Sequence, residues 1–500
     1  MENNNSVDSE AAVEIAGTGP AGLAAAITLA HAGCKVIVHE TQKAVGHRFG
    51  GDYQGTMKIY ATSRAQSAGE RLRRWQFVIV MVLASSAFPL QAIPPNEGQS
   101  MSMAAAVSEV VKANPDLAAI SARAEALATL PDQQGTLPDP QLSLKLLSLP
   151  TNSFSFSQEA MTQTQLGFSQ VLPFPGKLGL RQEVAQAMAS AAGFGVEELR
   201  LKLVRDVKMV WWNLFFLDRA LETVKSNQTL MRQFIEVAES KYRVGKGLQQ
   251  DVLLAQLELS KLFDSQVELE GQRRNEAIRL NTLLDRPATA SLVLPREVTE
   301  NFSSPRKEAQ LVARAAEVRP VLAASEQQLE AARLRLALAK KDYYPDFSMG
   351  AAYGLRQGNN PNGASRADLM SLMFGMNLPI YTATRQDRAV DQRNAERMSQ
   401  RYALADAHNR VEAAIGSALS DYRRGSEKAE LFKSGIIPQA RQTVASMLAG
   451  YQVNKVDFLN VVRAQITLYN YETQYWNALS KTGQALARLV AAVGEENIYE

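Results

Sequence analysis

The chain has 500 residues, 46% apolar and 21% charged, a balance that supports packed cores and excludes a wholly disordered polypeptide. Its formal net charge of +3 gives no electrostatic footprint for nucleic acid. The lone Cys34 excludes an intrachain disulfide. With His31, His39 and His47 all near the N-terminus and only His408 beyond them, the body of the chain lacks the residues for a His/Cys metal site.

Residues 13–40 read VEIAGTGPAGLAAAITLAHAGCKVIVHE. A β-run (Val13, Ile15) leads into Gly17-x-Gly19-x-x-Gly22, an Ala/Leu helix, a second β-run (Val36 to Val38) and Glu40. That is the dinucleotide fingerprint in context: small glycines let the backbone approach a pyrophosphate, and the acid can bond a ribose hydroxyl. The stretch resembles the N-terminus of flavin-dependent oxidoreductases over residues 11–55 and then stops. Two strands and one helix cannot bury a core, and no later segment supplies the rest of a parallel sheet. Residues 1–56 therefore read as a truncated FAD/NAD-binding-like fragment fused to an unrelated protein, its fingerprint vestigial. The alternative is a flavin-dependent oxidoreductase working through residues 11–55.

From Met57 a basic stretch (Lys58, Arg64, Arg71, Arg73, Arg74) precedes a short apolar run, Phe77 to Ala87, and the small residue Ala92. This is the layout of a secretory signal peptide over 57–92, with an apolar core too short to span a bilayer. The natural start is then expected at Met57, and the mature chain near Ile93.

Beyond Ser102 the chain repeats itself. Asn114-Pro115-Asp-Leu-Ala-Ala returns as Arg319-Pro320-Val-Leu-Ala-Ala, and Tyr242-Arg-Val-Gly245 as Tyr451-Gln-Val-Asn454. Between them, Pro173 in LPFPGKLGLR returns as Pro379 in NLPIYTATR. Three anchors in the same order make two copies of one unit, 93–300 and 301–500. Each unit holds two strand patterns. Leu142, Leu144 and Leu146 alternate with Ser143 and Lys145, and the partner run spans Gln163 to Leu172. In the second unit Phe347, Met349, Ala351 and Tyr353 alternate with small residues, as do Met370, Leu372, Phe374, Met376 and Leu378. One apolar and one small, polar face is what a membrane barrel wall requires. Four strands cannot close a barrel and open edges are forbidden in hydrocarbon, so strands must be pooled between copies, three copies giving twelve.

After each second strand comes a helical pattern of roughly 65 residues, about 100 Å of helix, from Gly176 to Tyr242 and from Thr384 to Tyr451, with Pro438 its one proline. Returning helices over Gln249–Leu284 and Asn460–Val493 carry coiled-coil-like stripes such as Ala255, Leu259, Leu262 and Leu269. The aromatic group Trp211, Trp212, Phe215 and Phe216 reads as helix packing. Gly245 and Asn454 sit at the hairpin turns, where positive φ is tolerated.

In combination, the duplicated unit, LPFPGKLGLR after a strand and YRVGKGLQQDVLLAQ at the turn resemble the trimeric outer-membrane efflux proteins, the TolC family, over residues 102–494. The resemblance implies a mainly α fold with a membrane β-barrel part: a homotrimer with a 12-stranded β-barrel in outer-membrane lipid and an α-helical tunnel in the periplasm. It implies a passive exit duct for metal ions or drugs, not an enzyme. Its partners would be a periplasmic adaptor and an inner-membrane pump of the resistance-nodulation-division type. No catalytic or metal-ligating residue is expected. Control falls to the tips: Tyr242, Gly245 and Asp251 in the first repeat, Tyr451, Asn454, Asp457, Asn460 and Arg463 in the second. The family places acids at the ninth and twelfth positions after the second tyrosine, where this chain has Asn460 and Arg463. Asp457 is the nearer acid, either offered to the lumen or acting as a helix N-cap.

Overall fold

The computed structural model describes residues 100–499 except 299 and 301, together with the backbone of three short strands closer to the N-terminus. The chain divides into two units, Met1–Glu97 and Gly98–Glu500. In the first, β1 (Val13–Ala16) pairs in parallel with β2 (Val36–His39), which pairs antiparallel with β3 (Met57–Ile59). The pairing of β3 crosses the boundary drawn from sequence at residue 56, because Met57-Lys58-Ile59 has the apolar alternation of a short strand. Gly17, Gly19, Gly22 and Glu40, and the rest of the 57–92 segment, lie outside the described residues.

The second unit contains the repeat. Its first copy runs α1 (Met103–Ala113), α2 (Pro115–Ala128), α3 (Leu130–Gly135), β4 (Gln141–Leu147), β5 (Gln163–Leu172), α4 (Lys177–Arg243) and α5 (Gln249–Leu283). The second runs α6 (Glu308–Val318), α7 (Pro320–Lys341), β6 (Phe347–Leu355), β7 (Leu369–Met376) and α8 (Gln386–Glu430). It continues through a π-helical turn (Leu431–Ile436) into α9 (Ile437–Gln452) and returns as α10 (Phe458–Val493).

Local chemistry sets the boundaries. Ser102 Oγ accepts from the Ala105 N–H to start α1. Asn114 Oδ1 accepts from the N–H groups of Asp116 and Leu117 to start α2, with Pro115 at the first helical position. The single helix expected over 384–451 is broken into two by the π turn. Pro438 has no N–H to give back up the helix, and the wider turn just before it accommodates the lost bond.

Near the middle of the long helices, Trp211, Trp212 and Phe215 are buried with Leu214, Leu280 and Leu284 beneath α1. Trp211 Nε1 donates to the Met101 carbonyl at 3.0 Å. The Trp212 ring lies against the backbone of Gly483, where a Cβ would fall 2.2 Å from Cε2, so only glycine fits. A second core joins Leu311 and Leu322 to Ile415, Leu419 and Leu489. A third, at the far end, packs Phe234, Ala255 and Leu262 with Tyr451, Phe458 and Val461. The stripe on α5 is thus the seam of its coiled pair with α4.

Candidate functional site

The four strands β4-β5-β6-β7 form one antiparallel sheet in chain order, so β4 and β7 each have a neighbour on one side only. Register places Leu144 opposite Leu166, Leu166 opposite Tyr353 and Tyr353 opposite Met370. Ser143, Gly167, Ala352 and Ser371 align the same way on the opposite face. Leu142, Met370 and Phe374 are each more than 70% exposed in the single chain. A sheet with one apolar face bare, one face of small and polar residues, and two open edges fits a wall between hydrocarbon and water.

Below the sheet the chain turns into α4 through Pro173, Pro175 and Gly176, the last at φ 89°. Lys177 follows and is buried. Its ammonium meets Asp346 at 2.9 Å and Asp342 at 3.3 Å, and donates to the Tyr344 carbonyl at 3.3 Å. Asp346 Oδ1 also accepts from the Phe174 N–H at 2.8 Å. Burial pushes the Asp346 carboxyl up, but the Phe174 N–H and the Lys177 ammonium outweigh it and hold the group below the ordinary carboxylate range. The latch ties the end of one repeat's sheet to the start of the other's. Sequence reading missed it, since its partners stand 169 residues apart.

At the opposite end the two hairpins meet. Gly245 (φ 71°) and Asn454 (φ 59°) both take the left-handed backbone that closes the turns. Tyr242 is half exposed, whereas Tyr451 is buried. Lys241, absent from the sequence-derived site, joins them: its ammonium donates to the Tyr451 carbonyl and to Asn454 Oδ1, and sits 3.9 Å from the Tyr451 ring centroid. Burial, and then the neighbouring Asp251, raise the Tyr451 hydroxyl to about 12. Burial also raises the Asp251 carboxyl, with Asp457 of the other hairpin adding to it, against a backbone hydrogen bond at Leu248 and the charge of Lys241. Asp457 occupies the N-cap position of α10, yet its side chain makes no capping bond and is exposed. Asn460 and Arg463 are exposed on the first turns of the same helix. Among the described residues no three His, Cys, Asp or Glu side chains gather as a metal-binding group.

Residues 106–286 and 311–495 match the family described as outer membrane efflux protein, one match per repeat. Residues 13–83 match a FAD binding domain, a longer stretch than the 11–55 resemblance. Among curated relatives, the cobalt-zinc-cadmium resistance protein CzcC of Cupriavidus metallidurans is 26% identical over 178 residues, 35% of this chain and 40% of that protein. Nodulation protein T of Rhizobium leguminosarum bv. trifolii is 22% identical over 66% of this chain and 71% of its own length. Among solved structures, the outer-membrane channel OprN superposes with a TM-score of 0.67 at 18% identity, covering 78% of this chain and 89% of that one. VceC of Vibrio cholerae gives 0.67 at 19% identity, covering 79% and 96%. At such identities the superpositions establish the fold.

Proposed function

The chain belongs to the outer membrane efflux protein family, and on that basis we propose that three copies close a barrel in the outer membrane and continue as one helical duct into the periplasm. The observation that carries this is the four-stranded sheet with a bare apolar face and two open edges. Neither feature is stable in one chain in water: β4 of one copy against β7 of the next closes the edges, and lipid covers the apolar face. The duct moves cargo without chemistry. Cargo reaches it from an inner-membrane pump of the resistance-nodulation-division type through a periplasmic adaptor that meets the hairpin tips, where Lys241 of the first hairpin bonds Tyr451 and Asn454 of the second and ties the two together. Residues 57–92 act as the signal segment, and residues 1–56 take no part.

The test is the mass of C-terminally tagged protein extracted from outer membranes in mild detergent, with its N-terminus read by mass spectrometry. Three chains beginning near Ile93 are expected. A soluble monomer beginning at Met1 would sink the reading. It would favour instead a flavin-binding oxidoreductase, for which the parallel β1–β2 pair and the 13–83 match speak. Flavin absorbance of the purified chain decides between them.

A further inference from the structure

We propose that the inner surface of the helical duct carries a cationic belt that makes it favour anionic solutes over cations. The inference rests on the duct reading and adds to it the charge class of the cargo.

The seam between α8 and α10 has two sides. On one, Tyr422 donates to the Ser303 carbonyl, Glu300 accepts from Lys433 and Tyr475, and α6 lays Leu311 against Ile415 and Leu489. Three copies of that covering layer would fill a tunnel, so this side is the outside. On the other side lie two adjoining grooves that share Arg488. One, of about 670 Å³, is lined by Arg424, Lys428, Lys481 and Arg488, with Asp421 its one acid. The other, of about 220 Å³, is lined by Lys202, Arg205, Arg319, Arg488 and small residues, with no acid.

Nearby acids are already engaged. Asp421 serves Arg424 and Arg488, Glu198 serves Arg319 and Lys202, and Asp206 serves Arg205. Seven basic groups thus face three acids, an excess of four in a chain whose total is +3. Lys428 has no ion-pair partner among the described residues, and Lys481 bonds only the Gln484 amide. The nitrogens Arg319 Nε and Nη1 and Arg488 Nε are buried without acceptors.

The same face of α10 extends the charge toward the tip. Arg463 precedes Lys481 by five full turns of a helix of about 3.6 residues per turn, and Asn470, Gln474 and Asn477 lie between them on that face, all without charge. At the hairpins beyond it stand Asp251 and Asp457. Fixed cations around confined water raise the local concentration of anions and repel cations.

The test is reversal potential across a planar bilayer holding the purified trimer, under a potassium chloride gradient. Low salt should show an anion preference of about threefold, fading near 1 M, where the screening length is only about 3 Å. Lys428→Glu combined with Lys481→Glu, both exposed, should abolish or invert it while leaving trimer mass and conductance in place. Conductance that favours cations, or favours neither ion, at low salt overturns the belt alone. A preference unmoved by the double substitution overturns it too. Absence of any conductance removes the duct reading and the belt with it.

Discussion

At the strand-to-helix junction of the first repeat, buried Lys177 is held by two carboxylates and a carbonyl. At the same place in the second, Gln386 makes one long bond of 3.4 Å to the Asp342 carbonyl, and its Oε1 has no partner. Mid-molecule the contrast recurs. Asn114 caps the start of α2 and donates to the Leu283 carbonyl at the end of α5, whereas its counterpart Arg319 makes no cap and reaches Glu198 at 3.0 Å. The long arm is unbroken α-helix in the first repeat and carries a π turn in the second. Apolar pattern fixes the shared backbone path, and the polar chemistry at each junction is free to differ. The two repeats therefore have unequal strength in the same places.

Four pairs of substitutions would sharpen or break that contrast. Lys177→Met should cost about 3–5 kcal/mol of trimer stability in thermal unfolding, because it strands a partly buried carboxylate, while Gln386→Met should cost under about 1. The pH dependence follows with a definite sign. Asp346 is depressed in the folded state, so its contribution is present above its ordinary value of 3.8 and lost as pH falls through the lower folded value. The acid limb of the melting curve should flatten in Lys177→Met. Proline at Thr229, the first-repeat counterpart of Pro438, should cost about 3 kcal/mol, since α4 has no π turn there to accommodate it. Removing the proline with Pro438→Ala should instead slow amide exchange around the π turn. Asn114→Ala should cost about 1–2 kcal/mol through three lost helix-end bonds, and Arg319→Ala should leave the helix start unchanged by exchange protection. Smallest, Gly245→Ala should cost about 1 kcal/mol from backbone conformation alone, no atom lying near its Cβ, whereas Asn454→Gly should cost about as much for another reason, the lost Oδ1 acceptor for Lys241.

Features written in neighbouring residues were legible in the sequence: the alternation of both strand pairs, the duplicated anchors, the turn residues Gly245 and Asn454, and the length of the long helices. What escaped depends on residues far apart. Lys177 finds Asp346 across 169 positions and Lys241 finds Asn454 across 213, and no local pattern marks either lysine. Asp457 shows the converse. Its position before a helix suggests a cap, but its side chain is left free beside the first hairpin. Pro438 stands inside what the pattern reads as one helix, and the pattern shows neither the interruption nor its form.

That form has a consequence for symmetry. From Lys177 to Arg243 the first arm spans 67 residues, and from Gln386 to Gln452 the second spans as many. A π turn holds about one residue more than an α turn, which rotates everything below it by roughly 100° relative to an unbroken helix. The repeats are equal in count and out of phase in rotation. A threefold assembly of such chains would present six hairpins of two alternating kinds, so whatever grips the tips meets pseudo-sixfold spacing with only threefold chemistry.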